Sequence, residues 1–130
     1  MRWFLNRYSE PLFAVLRVVV GLLFACHGAD KLFGAFGGQV MTGVPLMLAA
    51  GIIELAGGLL IAVGLFTEIA AFVCSGEMAV AYFQGHFPSG FWPIQNHGEL
   101  AVVYCFVFLY IAAHGSGPFS LDSSFGRARR

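Results

Sequence analysis

Four apolar segments constrain this chain more than any other feature: they cover residues 12–28, 45–66, 69–83 and 100–113, the fourth read as a span over about 97–114. A helix rises about 1.5 Å per residue and needs about 20 residues to cross a hydrocarbon core of about 30 Å, so each segment reads as a spanning helix. The third and fourth apolar runs are short for that length. Their polar neighbours, Gln84 to His86 and Ile94 to Glu99, are taken to extend them. A re-entrant segment in place of the fourth span is the structural alternative. The fold class that follows is all-α, a transmembrane four-helix bundle with two longer outer loops, in a single membrane-embedded domain over residues 1–130.

Composition supports lipid as the solvent. The 130 residues are 58% hydrophobic and 11% charged, whereas a soluble domain carries about 25% charged residues. So few charges cannot cover a water-facing surface, and a domain this small cannot bury most of its side chains at once. Seven basic and seven acidic residues balance, so bulk charge points to neither a nucleic acid nor an acidic substrate. Membrane lipid is the partner this reading expects.

Orientation comes from where the charges lie. Arg2 and Arg7 precede the first apolar run, and Arg127, Arg129 and Arg130 follow the last. Basic residues favour the cytoplasmic side, which puts both termini inside, demands an even number of spans, and suits a bacterial inner membrane. The alternative of a cleaved leader, suggested by Leu23-Phe24-Ala25-Cys26, is rejected: Arg17 interrupts the run and three further spans follow. Residue 1 is therefore expected in the mature protein. The connection through Leu65-Phe66-Thr67-Glu68 becomes a tight inner turn in which Thr67 caps the third helix. The longer connections, residues 29–43 and 84–98, fall together outside. Phe87, Phe91 and Trp92 sit among Pro88, Gly90 and Pro93, a pattern suited to a membrane interface.

The ionisable residues inside the apolar runs carry the functional signal. Arg17 lies in span one, Glu54 in span two and Glu77 in span three. A charge at mid-span costs about 2.5–3.5 kcal/mol and usually faces protein or water. Ala50, Gly51, Gly57 and Gly58 share the helical face of Glu54, while Ala70, Cys74, Ala81 and Gln84 share that of Glu77. Such faces pack against other helices. The expectation is one buried polar centre of Arg17, Glu54 and Glu77, serving either as a register-setting ion pair or as a proton-handling site.

A second constellation forms at the outer end: His27, Asp30 and Lys31 after span one, His86 and His97 in the second loop, and Glu99 opening span four. Of these, His27, Lys31, His86 and Glu99 are expected to line an outer pocket. The spacings match no metal motif, so no metal is assigned. Cys26, Cys74 and Cys105 are odd in number, far apart and read as structural thiols. No phosphate loop, Ser-His-Asp order or His-Glu-x-x-His motif is present in the sequence.

These residues also form a pattern. Arg17-x3-Gly21, Phe24-x2-His27-Gly28-x2-Lys31, Glu54-x2-Gly57-Gly58 and Gly64-x2-Thr67 are followed by Glu77 with Met78 and Ala81. Gly98-Glu99 with Tyr104, Gly115-x-Gly117 and Ser120-Leu121-Asp122 complete it. In order and spacing the series resembles the DoxX family of small membrane proteins, with His97 standing where a small residue is expected. The resemblance implies a four-helix membrane bundle and a link to redox metabolism. Some relatives are small subunits of a thiosulfate:quinone oxidoreductase, others join membrane thiol-stress complexes, and others are assembly factors. The leading expectation is an accessory subunit of a quinone- or thiol-linked redox system, beside a protein partner in a membrane complex, with quinone as the one cofactor suggested and no catalysis by the chain alone. A noncatalytic assembly or scaffold protein is the rival, and a small proton or solute pathway the third reading.

Overall fold

A computed structural model describes residues 3–126. The terminal residues Arg2, Arg127, Arg129 and Arg130, used above for orientation, lie outside the described residues. All regular structure among the described residues is helical: α1 Ser9–Phe33, α2 Pro45–Val63, α3 Thr67–Gly85, α4 Pro93–Asn96, α5 Glu99–His114 and α6 Leu121–Ser124, with a 3-10 turn Phe4–Tyr8 before α1. The four long helices alternate in direction. This sends the termini and the α2–α3 turn to one end of the bundle and the two longer connections to the other.

Helix α1 runs to Phe33 rather than stopping near residue 28. Nothing in Ala29-Asp30-Lys31-Leu32 breaks a helix, and the first left-handed position is Gly34, with φ +63° and its N–H donating to the Asp30 carbonyl at 2.8 Å. His27, Asp30 and Lys31 are therefore helical. Asp30 also orders the following loop, its Oδ1 accepting from the N–H groups of Phe36 (3.0 Å) and Gly38 (2.9 Å).

The expected extension of the fourth span through Ile94 does not form. Pro93–Asn96 makes a single helical turn, His97 is left-handed with φ 62°, and α5 begins at Glu99. The buried Asn96 side chain sets this break: its amide donates to Gly90 O (2.9 Å) and Tyr82 Oη (3.1 Å), and its Oδ1 accepts from Gly98 N–H (2.8 Å). A side chain that satisfies the backbone locally competes with helix continuation.

Thr67 is not the cap of α3. Phe66 holds that position in a left-handed conformation, φ 49°. The Asp122 carboxylate supplies the missing acceptors, taking the N–H of Phe66 (2.9 Å), the N–H of Thr67 (3.0 Å) and the Thr67 hydroxyl (2.8 Å). A carboxylate at a helix N-terminus satisfies orphan donors and meets the positive end of the helix dipole. This one arrives from far along the chain, so the segment after α5 clasps the α2–α3 turn.

Helices α1 and α2 approach so closely that glycine is required between them. A Cβ added at Gly21 would sit 2.7 Å from both Gly58 O and Ala62 N. Helix α3 meets α5 through the Ser75 hydroxyl, which donates to Cys105 O at 2.7 Å, and meets α2 where Cys74 Sγ lies against Gly57. Phe24 closes the ring of helices on Phe108 and Tyr104, with ring centroids 4.7 and 5.1 Å apart. Gly21→Val is expected to force α1 and α2 apart at a cost of about 1–3 kcal/mol, the usual penalty of overpacking. Thermal unfolding of the purified variant in detergent measures it, and an unchanged midpoint would mean that the helices separate freely.

Among the described residues, two helical stretches are long and apolar enough to cross a bilayer, Phe4–Phe33 and Pro45–Val63. Helix α3 carries Thr67, Glu68, Ser75, Glu77 and Gln84, and α5 has 16 residues, so neither meets that standard. All four long helices nonetheless turn large apolar side chains outward, among them Val15 and Leu23, Ile52 and Val63, Phe72 and Phe83, and Val103 and Phe106.

Candidate functional site

The alternating helix directions decide which ionisable groups can meet. Side chains on a helix tilt toward its N-terminus. Arg17 and Lys31 on α1, and Glu77 on α3, therefore lean toward the end that holds the termini, whereas Glu54 on α2 leans toward the loop end. Lys31 thus comes down onto Glu54, while Arg17 moves away from it.

Lys31 Nζ donates to Glu54 Oε1 at 2.7 Å, with the Glu54 side chain 2% exposed. Glu77 faces the same pair from α3. Both of its carboxyl oxygens are buried and no N–H or hydroxyl donor reaches them; the group it hydrogen-bonds is the Glu54 carboxyl, which requires a proton on one of the two acids. Two carboxyls and one lysine form a polar centre set into apolar walls.

The centre lies at the wall of a cavity of about 810 Å³. That volume falls within the roughly 300–1,000 Å³ of sites for small organic ligands. Phe24, Ile53, Met78 and Tyr104 are among its apolar and aromatic walls, and His27, His86 and His97 stand with Lys31 around it. The cavity can hold a ring by apolar contact, offer a ring oxygen donors from Lys31 or a histidine, and present an acid at Glu77.

Of the residues expected to line an outer pocket, His27, Lys31 and His86 border this cavity and Glu99 does not. Glu99 is exposed at the first position of α5 and does not line the cavity. The left-handed turn at His97 brings that residue to the cavity in its place. His86 is held by a contact of 3.1 Å between its Nδ1 and Asn96 O. The two expected clusters merge, apart from Arg17 and Glu99: Glu54 and Glu77 belong to the same cavity as His27, Lys31 and His86.

Arg17 belongs elsewhere, and the expected three-residue centre is corrected accordingly. Its guanidinium donates through Nε to Ile61 O (2.9 Å), through Nη1 to Ser116 O (2.6 Å), and through Nη2 to Phe119 O (2.9 Å) and Ala62 O (3.4 Å). Ile61 and Ala62 lie in the last turn of α2, where carbonyls lack helical partners and the dipole favours a cation. Asp122 adds an electrostatic attraction. Arginine, with five donors in a planar fork, suits this cradle of carbonyls. Arg17 therefore fastens the segment after α5 to the end of α2.

Tyr104 and Asn96 were not singled out as site residues by sequence reasoning. Tyr104 lies one helical turn beyond Ala101 and Leu100, which also line the cavity. A tyrosine among apolar residues is a weak signal on its own.

A compact helical chain whose long helices turn apolar faces outward and whose ionisable groups converge on an internal cavity is a small membrane protein. More particularly, it belongs to the DoxX family, whose profile matches residues 12–87. The chain is also similar to an uncharacterized protein of Haemophilus influenzae, 42% identical over 128 residues, covering 93% of this chain and 96% of the relative. No solved structure matches the chain.

Proposed function

We propose that this DoxX-family protein is an accessory subunit of a quinone- or thiol-linked redox system, and that its cavity receives a quinone ring. The carrying observation is Glu77, a carboxyl with buried oxygens that no N–H or hydroxyl donor reaches, set against Glu54 in an apolar-walled cavity beside the Lys31–Glu54 pair. A bound quinone supplies a two-electron, two-proton acceptor, with electrons delivered by the partner protein. Lys31 and His27 are the donors that would hold a ring oxygen, and Glu77 is the group that would pass or take a proton at its carboxylate. Phe24 and Tyr104 exclude water on the α1–α5 side. The chain's role is to bind, orient and manage protons, which matches a subunit rather than an independent enzyme.

The same reading makes all four long helices spans. Their outward apolar faces support it, because a soluble protein rarely exposes contiguous apolar surface on this scale. Helix α5 is about 24 Å long, and the satisfied turn at Asn96 extends its reach toward the interface. Both termini then lie in the cytoplasm of a bacterial cell, with the protein in its inner membrane, as the basic residues at the chain ends favour.

Purification from native membranes followed by lipid extraction tests the proposal. Quinone is expected near one equivalent per chain, together with a stable protein partner. A partner without quinone would replace this reading with that of a scaffold. Proton flux in reconstituted vesicles without either would indicate a pathway.

A further inference from the structure

We propose that the cavity opens sideways into the bilayer between α2 and α3, so that a single-tailed lipophile with a hydrogen-bonding head reaches Glu77 from the membrane. The inference rests on the cavity being the ligand site argued above, but not on the ligand being redox-active.

The walls point to this route. Ligand cavities reached only from water are lined by residues turned away from the outer faces of their helices. Here α3 contributes Val73 and Val80 and α2 contributes Leu46. These residues are 46%, 49% and 51% exposed, so each belongs both to the cavity and to the outer apolar surface. Between Val73 and Val80 stands Gly76, exposed and also lining the cavity, where an added Cβ would meet nothing within 4 Å. The gap is therefore open at the backbone. Helices α2 and α3 do touch nearer the turn that joins them, where Cys74 Sγ lies 3.9 Å from Ile53 O. Beyond that level the cavity lining includes small residues on both helices, Ala49 and Ala50 on α2 and Gly76 and Ala81 on α3.

On the opposite side Tyr104 of α5 meets Phe24 and His27 of α1, with ring centroids 5.1 and 6.0 Å apart, although His27 and Leu100 there are also exposed residues that line the cavity. An apolar tail thus finds a gap at the backbone on the α2–α3 side and packed rings on the α1–α5 side. The head is selected by Glu77, whose buried oxygens receive no N–H or hydroxyl donor and meet only the Glu54 carboxyl. A hydroxyl-bearing ring satisfies them, and its tail remains in the gap beside Gly76, among lipid chains.

The probe is a para-decyl phenol with a diazirine on the tail methylene next to the ring, compared with a tail-free diazirine phenol. Both are photoreacted with the full chain in lipid nanodiscs, and the labelled residues are mapped. The decyl probe is expected to label Met78, which lines the cavity but is buried from lipid. Gly76→Trp, which fills open space, should cut that labelling at least tenfold while changing tail-free labelling less than twofold. Val80→Trp provides a second block should Gly76→Trp fail to fold. Labelling confined to outward residues such as Phe72, equal loss for both probes in both variants, or decyl labelling indifferent to both variants would each overturn the portal. Labelling as expected in a protein that copurifies with no quinone would retain the portal and remove the redox reading alone.

Discussion

Arg17→Ala is expected to lose about 3–5 kcal/mol of stability, the scale seen when a buried charged partner is removed, and most of the protein should disappear from the membrane fraction. The guanidinium, 2% exposed, is the donor to the carbonyls of Ile61, Ser116 and Phe119. Alanine leaves those carbonyls facing a void. Each buried acceptor without a partner costs about 1–3 kcal/mol, and the sum is limited because water can enter the space. The damage should also spread. Once the segment after α5 is released, Asp122 no longer holds Phe66 and Thr67 at the start of α3. Arg17→Lys keeps the charge but replaces a planar fork with a single ammonium, so it should recover only a fraction of the loss. Thermal unfolding in detergent and limited proteolysis after residue 115 measure both effects. If Arg17→Ala unfolds at the wild-type temperature with its C-terminal segment still protected, the clasp contributes nothing.

Glu77→Gln should separate function from folding. Glutamine keeps a donor for the Glu54 carboxyl that Glu77 bonds, and an amide is cheaper to bury than a carboxylate, so the variant is expected to accumulate normally and unfold at or above the wild-type temperature. Its bound quinone, and its ability to rescue a deletion strain, should fall at least tenfold, because glutamine cannot exchange a proton with a ring oxygen. Glu54→Gln should behave differently. It leaves Lys31 without the carboxylate held at 2.7 Å, and breaking a buried pair on one side costs about 3–5 kcal/mol, reduced here because the Lys31 side chain is 29% exposed. The comparison uses the unfolding midpoint, quinone content and complementation of both variants. Full rescue by Glu77→Gln at normal abundance would make the carboxylate an incidental feature of a scaffold.

From the sequence alone, each carboxylate in the pair looks equivalent: Glu54 and Glu77 both sit on faces of small residues within apolar runs. Tertiary structure distinguishes them through helix direction. Because α2 runs opposite to α1 and α3, Glu54 tilts toward Lys31, and Glu77 is left with the Glu54 carboxyl and no cation of its own. The same tilt carries Arg17 the other way. Counting rise along each helix placed Arg17 within reach of the carboxyls, but rise locates only Cα positions and says nothing of the direction in which a long side chain must extend.

What the sequence determined by itself was the medium, the helical class and the family. Hydrophobic fraction, charge deficit and apolar run length act through solvation free energy, which adds along a chain without reference to a fold. The ordered motifs from Arg17 to Asp122 likewise need no coordinates, and the glycines around Glu54 announced a close helix contact. What only the tertiary structure decided was partnership. Asp122 caps a helix that begins 55 positions earlier, at Thr67, Arg17 spans to Phe119, and His97 rather than Glu99 reaches the cavity. The first two depend on a clasp whose hydrogen bonds join residues remote in the chain, and the third on a turn that Asn96 fixes locally. Hydrophobic periodicity reports which face of a helix is buried, whereas such bonds depend on where the chain returns, and only packing settles that.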